Sequence, residues 1–262
     1  MIELHGVTMR LPGGARSRLL FDELELAPSS AEGEVAIVTG AVGCGKSTLV
    51  ALLYGAVTAD AGRVTMFGHD VRRLRRSSIT LLRRRLGIVT QSLDLLEDRS
   101  ALANVSLALE VRGESPRRSR IRAVEALGRL GLTAQVDQRC DRLSHGEAQR
   151  VALARAIVGD PAVVLLDEPT SHQDEAGRAL VISVLRDYPG LVTTSDPAMI
   201  SAALMHGWRH LELDGGALRE VDRHGITITS EDVEAIAGEI TEHDGDNIVP
   251  FPRRSISRGA QR

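Results

Sequence analysis

Nine consecutive residues carry the strongest chemical signal in this chain. Gly40, Ala41, Val42, Gly43, Cys44, Gly45, Lys46, Ser47 and Thr48 fit the spacing G-x-x-x-x-G-K-[ST]. In that spacing a glycine-rich turn folds its backbone N–H groups around phosphate oxygens. Apolar residues 35–38 precede the motif and apolar residues 49–53 follow it, the strand–loop–helix setting that a phosphate loop requires. Glycines let the amides turn inward without Cβ clashes, and a helix starting near Lys46 adds the partial positive charge of its N-terminus. Lys46 is then placed to reach the β- and γ-phosphates, and the Ser47 hydroxyl to ligate Mg²⁺. Binding of ATP with Mg²⁺ is the chemistry expected.

A second group lies further along the chain. Val163-Val164-Leu165-Leu166 is an apolar run that ends in two adjacent carboxylates, Asp167 and Glu168, followed by Pro169. Asp167 is expected to hold Mg²⁺ through water and Glu168 to polarise the attacking water. Just upstream stands Leu143-Ser144-His145-Gly146-Glu147-Ala148-Gln149-Arg150. Gln91 follows the β-like run 86–90 and is expected to reach the metal and the attacking water.

The elements that must position these residues read as an alternation of strands and helices. Residues 2–7, 19–26, 35–38 and 63–66 read as short strands, punctuated by Pro12-Gly13-Gly14 and Pro28-Ser29-Ser30. From about 92 to 157 apolar residues recur every three or four positions, as at Ile121, Val124, Leu127 and Leu130, which predicts helices. The continuous apolar run at 162–166 predicts a strand buried on both faces of a parallel sheet. A helix near 176–186, a strand at 191–194 and a hairpin turning at Gly215-Gly216 complete an α/β core. Beyond Asp222 the composition shifts: residues 230–241 are expected to form a short amphipathic helix with Ser230 as its cap, and 242–262 to lack stable structure.

Bulk composition narrows the function. The chain has 262 residues, enough for one large or two small domains, and its 43% hydrophobic and 26% charged content is that of a soluble globular protein. A net charge of −3 argues against a general nucleic-acid binder, whose footprint is basic. Neither a membrane span of about 20 residues nor the basic and apolar regions of a signal peptide are evident. The two cysteines, Cys44 and Cys140, fit a reducing cytoplasmic setting, because a disulfide in the phosphate loop would obstruct its ligand. Basic clusters at 72–76, 83–85 and 117–122 read as solvated helix faces, or as contacts with anionic headgroups beside a membrane partner.

Taken together these motifs resemble the ATP-binding-cassette (ABC) ATPases over residues 1 to about 221. The resemblance implies a P-loop NTPase fold of α/β class, with an antiparallel β subdomain and a helical subdomain at about 92–157, followed by an extension at 222–262. Within the superfamily the chain looks most like the FtsE, LolD and MacB group, through Phe67-Gly-His-Asp70, residues 82–87, residues 91–99 and Asn104-Val105. By position, the resemblance makes Gly40 to Thr48 the Walker A residues, Gln91 the Q-loop, Asp167 the Walker B aspartate, Glu168 the catalytic glutamate and Asp174 the D-loop aspartate. It implies a head-to-tail pair of cassettes, identical or mixed, that encloses two ATP molecules. Ser144, Gly146 and Glu147 would then meet the nucleotide held by the other subunit. It further implies an integral membrane permease subunit of the FtsX or LolC kind, with the cassette lying peripherally on the inner face of the cell membrane.

Four positions depart from the family pattern. The signature reads Leu-Ser-His-Gly-Glu, with His145 in place of a glycine and Glu147 in place of a glutamine. A carboxylate near a γ-phosphate costs electrostatically, unless it turns away or pairs with a cation such as Arg150. The switch histidine is replaced by Ser195, within Thr194-Ser195-Asp196, which is expected to lower turnover more than ATP affinity. Leu11 stands where an aromatic residue usually stacks on adenine, so only apolar contact is left there. The D-loop reads Ser171-His172-Gln173-Asp174, without its usual leucine, and His172 is a candidate to reach across a dimer interface. Two readings follow: an ATPase subunit that drives or regulates a membrane partner, or a hydrolysis-poor switch in which ATP binding assembles a scaffold, for example in cell division. A soluble cassette serving translation or DNA repair fits less well, since neither tandem cassettes nor long coiled-coil inserts are present.

Overall fold

The computed structural model describes residues 2–11, 18–27 and 34–221. The expected helix at 230–241, the tail at 242–262 and the two proline-containing turns lie outside the described residues. Strands β1 (Ile2–Leu11), β2 (Arg18–Leu26), β4 (Ala61–Met66) and β5 (His69–Asp70) form a four-stranded antiparallel sheet in the order β2-β1-β4-β5. Strand β3 (Val35–Thr39) belongs to a second, six-stranded sheet with β6 (Leu86–Val89), β7 (Val163–Asp167), β8 (Gly190–Thr193), β9 (Arg209–Asp214) and β10 (Ala217–Glu220). Its order is β10-β9-β3-β8-β7-β6, parallel from β9 to β6 with the antiparallel β10 on one edge.

Alternation along the central strands explains the layering. Val164 and Leu166 face a core built with helices α3 (Ala101–Glu110), α4 (Pro116–Arg129), α5 (His145–Ile157) and α6 (Glu175–Leu185). Val163 and Leu165 face a second core shared with α1 (Lys46–Leu53) and the antiparallel sheet, where Phe21, Leu24, Leu49 and Leu53 meet. All five residues of β7 are buried, so its continuous apolar run is what a strand covered on both faces requires.

The elements differ from the sequence expectation in three places. The helical stretch begins at Ala101 behind the N-cap Ser100, whose hydroxyl accepts from the Ala103 amide at 3.2 Å; residues 91–100 form a turn and loop instead. Helix α2 (Arg76–Arg84) was not expected, since its apolar side is short, with Leu82 buried, Ile79 half-buried and the arginines exposed. Helix α7 (Pro197–His206) was not expected either; Asp196 caps it through the Ala198 amide, and Gly207 ends it at φ 68°. Among the described residues no helix is long and apolar enough to cross a membrane.

Candidate functional site

The turns that follow β3, β6, β7 and β8 all leave the carboxyl ends of parallel strands, where open α/β sheets place their ligands. Those four turns hold Gly40–Thr48, Gln91, Glu168 and Ser195 respectively. Strand β8 lies between β3 and β7, so Thr193 and Ser195 stand between the glycine-rich turn and the paired carboxylates.

The loop at 40–48 has the geometry of an anion cradle. Gly40, Gly43 and Gly45 all take positive φ, and Gly45 at 115° is the N-cap of α1. A Cβ at Gly45 would stand 2.7 Å from Phe21 Cε1, so only glycine fits there. No side chain caps α1, which leaves the first amides of the helix without a side-chain acceptor. Val42 is 98% exposed at the tip of the loop, Ala41 and Ser47 are also exposed, and Cys44 and Thr48 are half-buried. Lys46 is buried, and its Nζ donates to Gly40 O at 2.7 Å and to Ala41 O at 3.4 Å. The ammonium is thus folded inside the loop.

At the far side of β8, Asp167 is 4% exposed and its Oδ1 accepts from the Thr193 hydroxyl at 2.5 Å. Glu168 takes φ 51°, a left-handed conformation that costs a non-glycine residue about 1 kcal/mol. Its amide donates to Thr193 O at 2.9 Å, and its carboxylate lies 3.9 Å from Lys46 Nζ. Ser195 holds that carboxylate twice: its amide donates to Oε2 at 2.9 Å and its hydroxyl to Oε1 at 2.6 Å. Lys46, Asp167, Glu168 and Ser195 therefore form one connected cluster.

Gln91 is exposed in the turn after β6. The turn is held from beneath: Leu93 and Asp94 take φ of 60° and 48°, and Arg155 of α5 donates to their carbonyls at 2.6 Å each. Hydrogen bonds from the Thr90 and Ser92 hydroxyls, with lesser help from Arg155, keep the Asp94 carboxyl below its ordinary pKa.

The signature segment forms the cap and first turn of α5. Ser144 is the N-cap of α5, accepting from the Glu147 amide at 3.2 Å, while Glu147 Oε2 accepts from the Ser144 amide at 2.8 Å. This reciprocal capping box satisfies two orphan donors of the helix. Glu147 Oε1 accepts from Gln135 Nε2 at 2.8 Å, and the Ser144 amide is the main reason its carboxyl lies below the usual range. Arg150 does not pair with it, but donates to Gln173 Oε1 at 2.6 Å. Gly146 lies in the first turn of the same helix. The His145 and His172 rings, from the signature and the D-loop, meet with centroids 3.9 Å apart. Asp174 caps α6 through the Gly177 amide at 2.8 Å. Leu11 ends β1 and packs against the core on the α1 side of the sheet.

Three residues of this cluster escaped sequence reasoning. Thr193, Gln149 and Gln173 are all buried polar residues whose partners lie 19 or more positions away. A hydroxyl pair, Thr193-Thr194, ending an otherwise apolar strand is a readable signal for the first. Among the described residues no three His, Cys, Asp or Glu side chains cluster as a cation site.

A phosphate-loop strand, two carboxylates across one intervening strand and a capped helix behind them define a nucleotide-binding protein of the P-loop class. The family model for the ABC transporter matches residues 25–171, and the chain belongs to that family. Cell division ATP-binding protein FtsE of Escherichia coli (strain K12) is 37% identical over 191 residues, 71% of this chain and 85% of that protein. Lipoprotein-releasing system ATP-binding protein LolD of Chromohalobacter salexigens is 34% identical over 227 residues, 84% and 93% of the two chains. A dimeric structure of MJ0796, a bacterial ABC transporter cassette, superposes with a TM-score of 0.76 at 29% identity, covering 86% of this chain and all of that one. A dimeric post-hydrolysis state of the same cassette bound to ADP and Pi gives a TM-score of 0.76 at 28% identity. The chain is an FtsE- and LolD-like ATP-binding subunit with the P-loop NTPase fold expected of it.

Proposed function

We propose that the chain is the slow ATPase of a membrane complex, and that Ser195 sets the slow rate. The observation that carries this reading is the double hydrogen bond from Ser195 to Glu168. Both oxygens of that carboxylate are already engaged, so an attacking water must share or displace these bonds to reach it. A serine also carries no positive charge for the transition state, where electrostatic stabilisation counts most.

The residues present fit ATP and a hard divalent cation. The uncapped start of α1, the positive-φ glycines and the buried Lys46 suit a polyphosphate. Oxygen donors from Ser47 and Asp167 suit Mg²⁺, whose remaining positions the nucleotide and water would fill. Mg²⁺ when bound would neutralise charge between the phosphates. Lys46 would bind the β- and γ-oxygens, Gln91 would orient water and Glu168 would accept its proton. Leu11 would give the adenine apolar contact only.

Partnership follows from the same surfaces. Dimeric cassettes among the structural relatives support a dimer, homomeric or mixed, in which Ser144 and Gly146 approach the nucleotide of the partner. A groove of about 250 Å³ between α2 and α3 is lined by the exposed Leu96, Leu107 and Val111 and rimmed by Arg84 and Arg112. Arg155 lies at its floor and also holds the Gln91 turn. This groove suits a short segment of an FtsX- or LolC-like permease, which would place the cassette peripherally on the inner membrane face. A second reading, a hydrolysis-poor ATP-dependent scaffold in cell division, is favoured by the same Ser195–Glu168 bond.

Phosphate release by the purified chain, alone and with its permease, separates the two. The ATPase reading expects slow turnover that E168Q abolishes and nucleotide binding that K46A abolishes. Tight ATP binding with no turnover under both conditions refutes it in favour of the scaffold.

A further inference from the structure

Between the signature turn and the Walker B carboxylate lies a buried chain of amides that binding chemistry alone does not require. Gln173 and Gln149 are 7% and 3% exposed. Gln173 Nε2 donates to Gly146 O at 3.0 Å and to Gln149 Oε1 at 2.8 Å, and its Oε1 accepts from Arg150 Nη1 at 2.6 Å. Gln149 Nε2 in turn donates to Glu168 O at 2.7 Å. The Ser171 hydroxyl donates to the same carbonyl at 3.1 Å. The Glu168 peptide is therefore held on both sides, by Thr193 O on its amide and by Gln149 and Ser171 on its carbonyl, while its φ is 51°. Close approach reinforces the link, for a Cβ at Gly146 would stand 2.6 Å from His172 O.

We propose that Gln173 is a positioning residue that couples the signature turn of α5 to the orientation of Glu168. The proposal rests on the reading of Glu168 as the group that accepts a proton from water. A buried amide with every donor and acceptor engaged has one arrangement, and losing it strands several partners without solvent. A shift of the α5 N-terminus therefore moves Gly146 O, and with it Gln173, Gln149 and the strained Glu168 peptide. Arrival of a nucleotide at the signature turn is felt at the carboxylate through two side chains.

The test uses the full chain with Q173L, which keeps the volume, and Q173E, which keeps the acceptor for Arg150 but lacks both donors. Each is combined with S144A, which breaks the cap of α5, and amide hydrogen exchange is followed over residues 168–171. In the parent chain S144A is expected to speed exchange there severalfold; in the Q173L and Q173E backgrounds it is expected to add less than about twofold. Equal effects of S144A in all three backgrounds, or no effect in the parent, overturn the proposal. Phosphate release reads the consequence: where E168Q abolishes turnover, both Gln173 variants are expected to lower kcat about tenfold with KM within about twofold. Unchanged kcat in both variants also overturns the proposal. If E168Q leaves turnover intact, the reading of Glu168 fails separately, and exchange still decides whether the link exists.

Discussion

Ser195 clasps Glu168 with both of its donors, amide to Oε2 at 2.9 Å and hydroxyl to Oε1 at 2.6 Å. The clasp joins the end of β8 to the end of β7, one residue beyond Asp167. The side chain at this position is short and neutral. The carboxylate is drawn toward β8 and meets Lys46 only at 3.9 Å. The glycine-rich loop thus faces a carboxylate whose two oxygens are already engaged.

The carboxylate of Glu147 sits on the positive end of α5, where Ser144 would meet a partner's phosphate. Its charge opposes a second anion there by about 0.3–1 kcal/mol. E147Q removes the charge while its oxygen can still accept from the Ser144 amide. The new amide N–H replaces the oxygen that accepts from Gln135 Nε2, so the Gln135 amide must flip to present Oε1 to it. Sedimentation with Mg-ATP is expected to show a dimer tightened by about two- to fivefold, the equivalent of that energy. No change would mean that Glu147 lies outside the field of the bound nucleotide.

Arg155 anchors the turn that carries Gln91 through two carbonyls whose residues both take left-handed φ. R155M keeps the stem and loses both bonds. It is expected to lower stability by about 2–3 kcal/mol and to weaken stimulation of the ATPase by a permease more than basal turnover. Thermal unfolding and phosphate release check the two parts.

How much of this was legible beforehand depends on whether the signal was local. The phosphate loop and the carboxylates of β7 are contiguous motifs next to strong apolar runs, and their strands read directly. Helix α2 hid because it is short and arginine-rich, with only Leu82 buried and Ile79 half-buried on its apolar side, and α7 because Ala, Met and Ile occur all round it. Glu147 was foreseen as an electrostatic problem, yet its solution was the capping box, not Arg150. Gln149 and Gln173 read as ordinary polar residues, because their meaning comes from partners brought close only by the fold.

His210 on β9 is buried, with Nε2 against the Thr39 hydroxyl at 2.9 Å and Nδ1 without a partner. Burial pushes its pKa below the ordinary histidine range, with Glu212 opposing weakly. The unfolded chain therefore binds more protons than the folded one as pH falls below about 6.5. Stability is full above that value and declines as pH drops toward the folded pKa. The melting temperature is expected to fall between pH 7.5 and 5.5, and H210Q to flatten part of that slope. A slope that H210Q leaves untouched would assign it to other groups.

The most direct test of the account is single-turnover phosphate release by the parent chain and S195H under identical Mg-ATP loading, with E168Q as the blank. Introducing a basic side chain and breaking the clasp on Glu168 are expected to raise the rate at least about tenfold, about 1.4 kcal/mol of transition-state stabilisation, while ATP affinity changes less than about threefold. An S195H chain that binds ATP equally well and releases phosphate no faster would contradict the claim that Ser195 sets the rate.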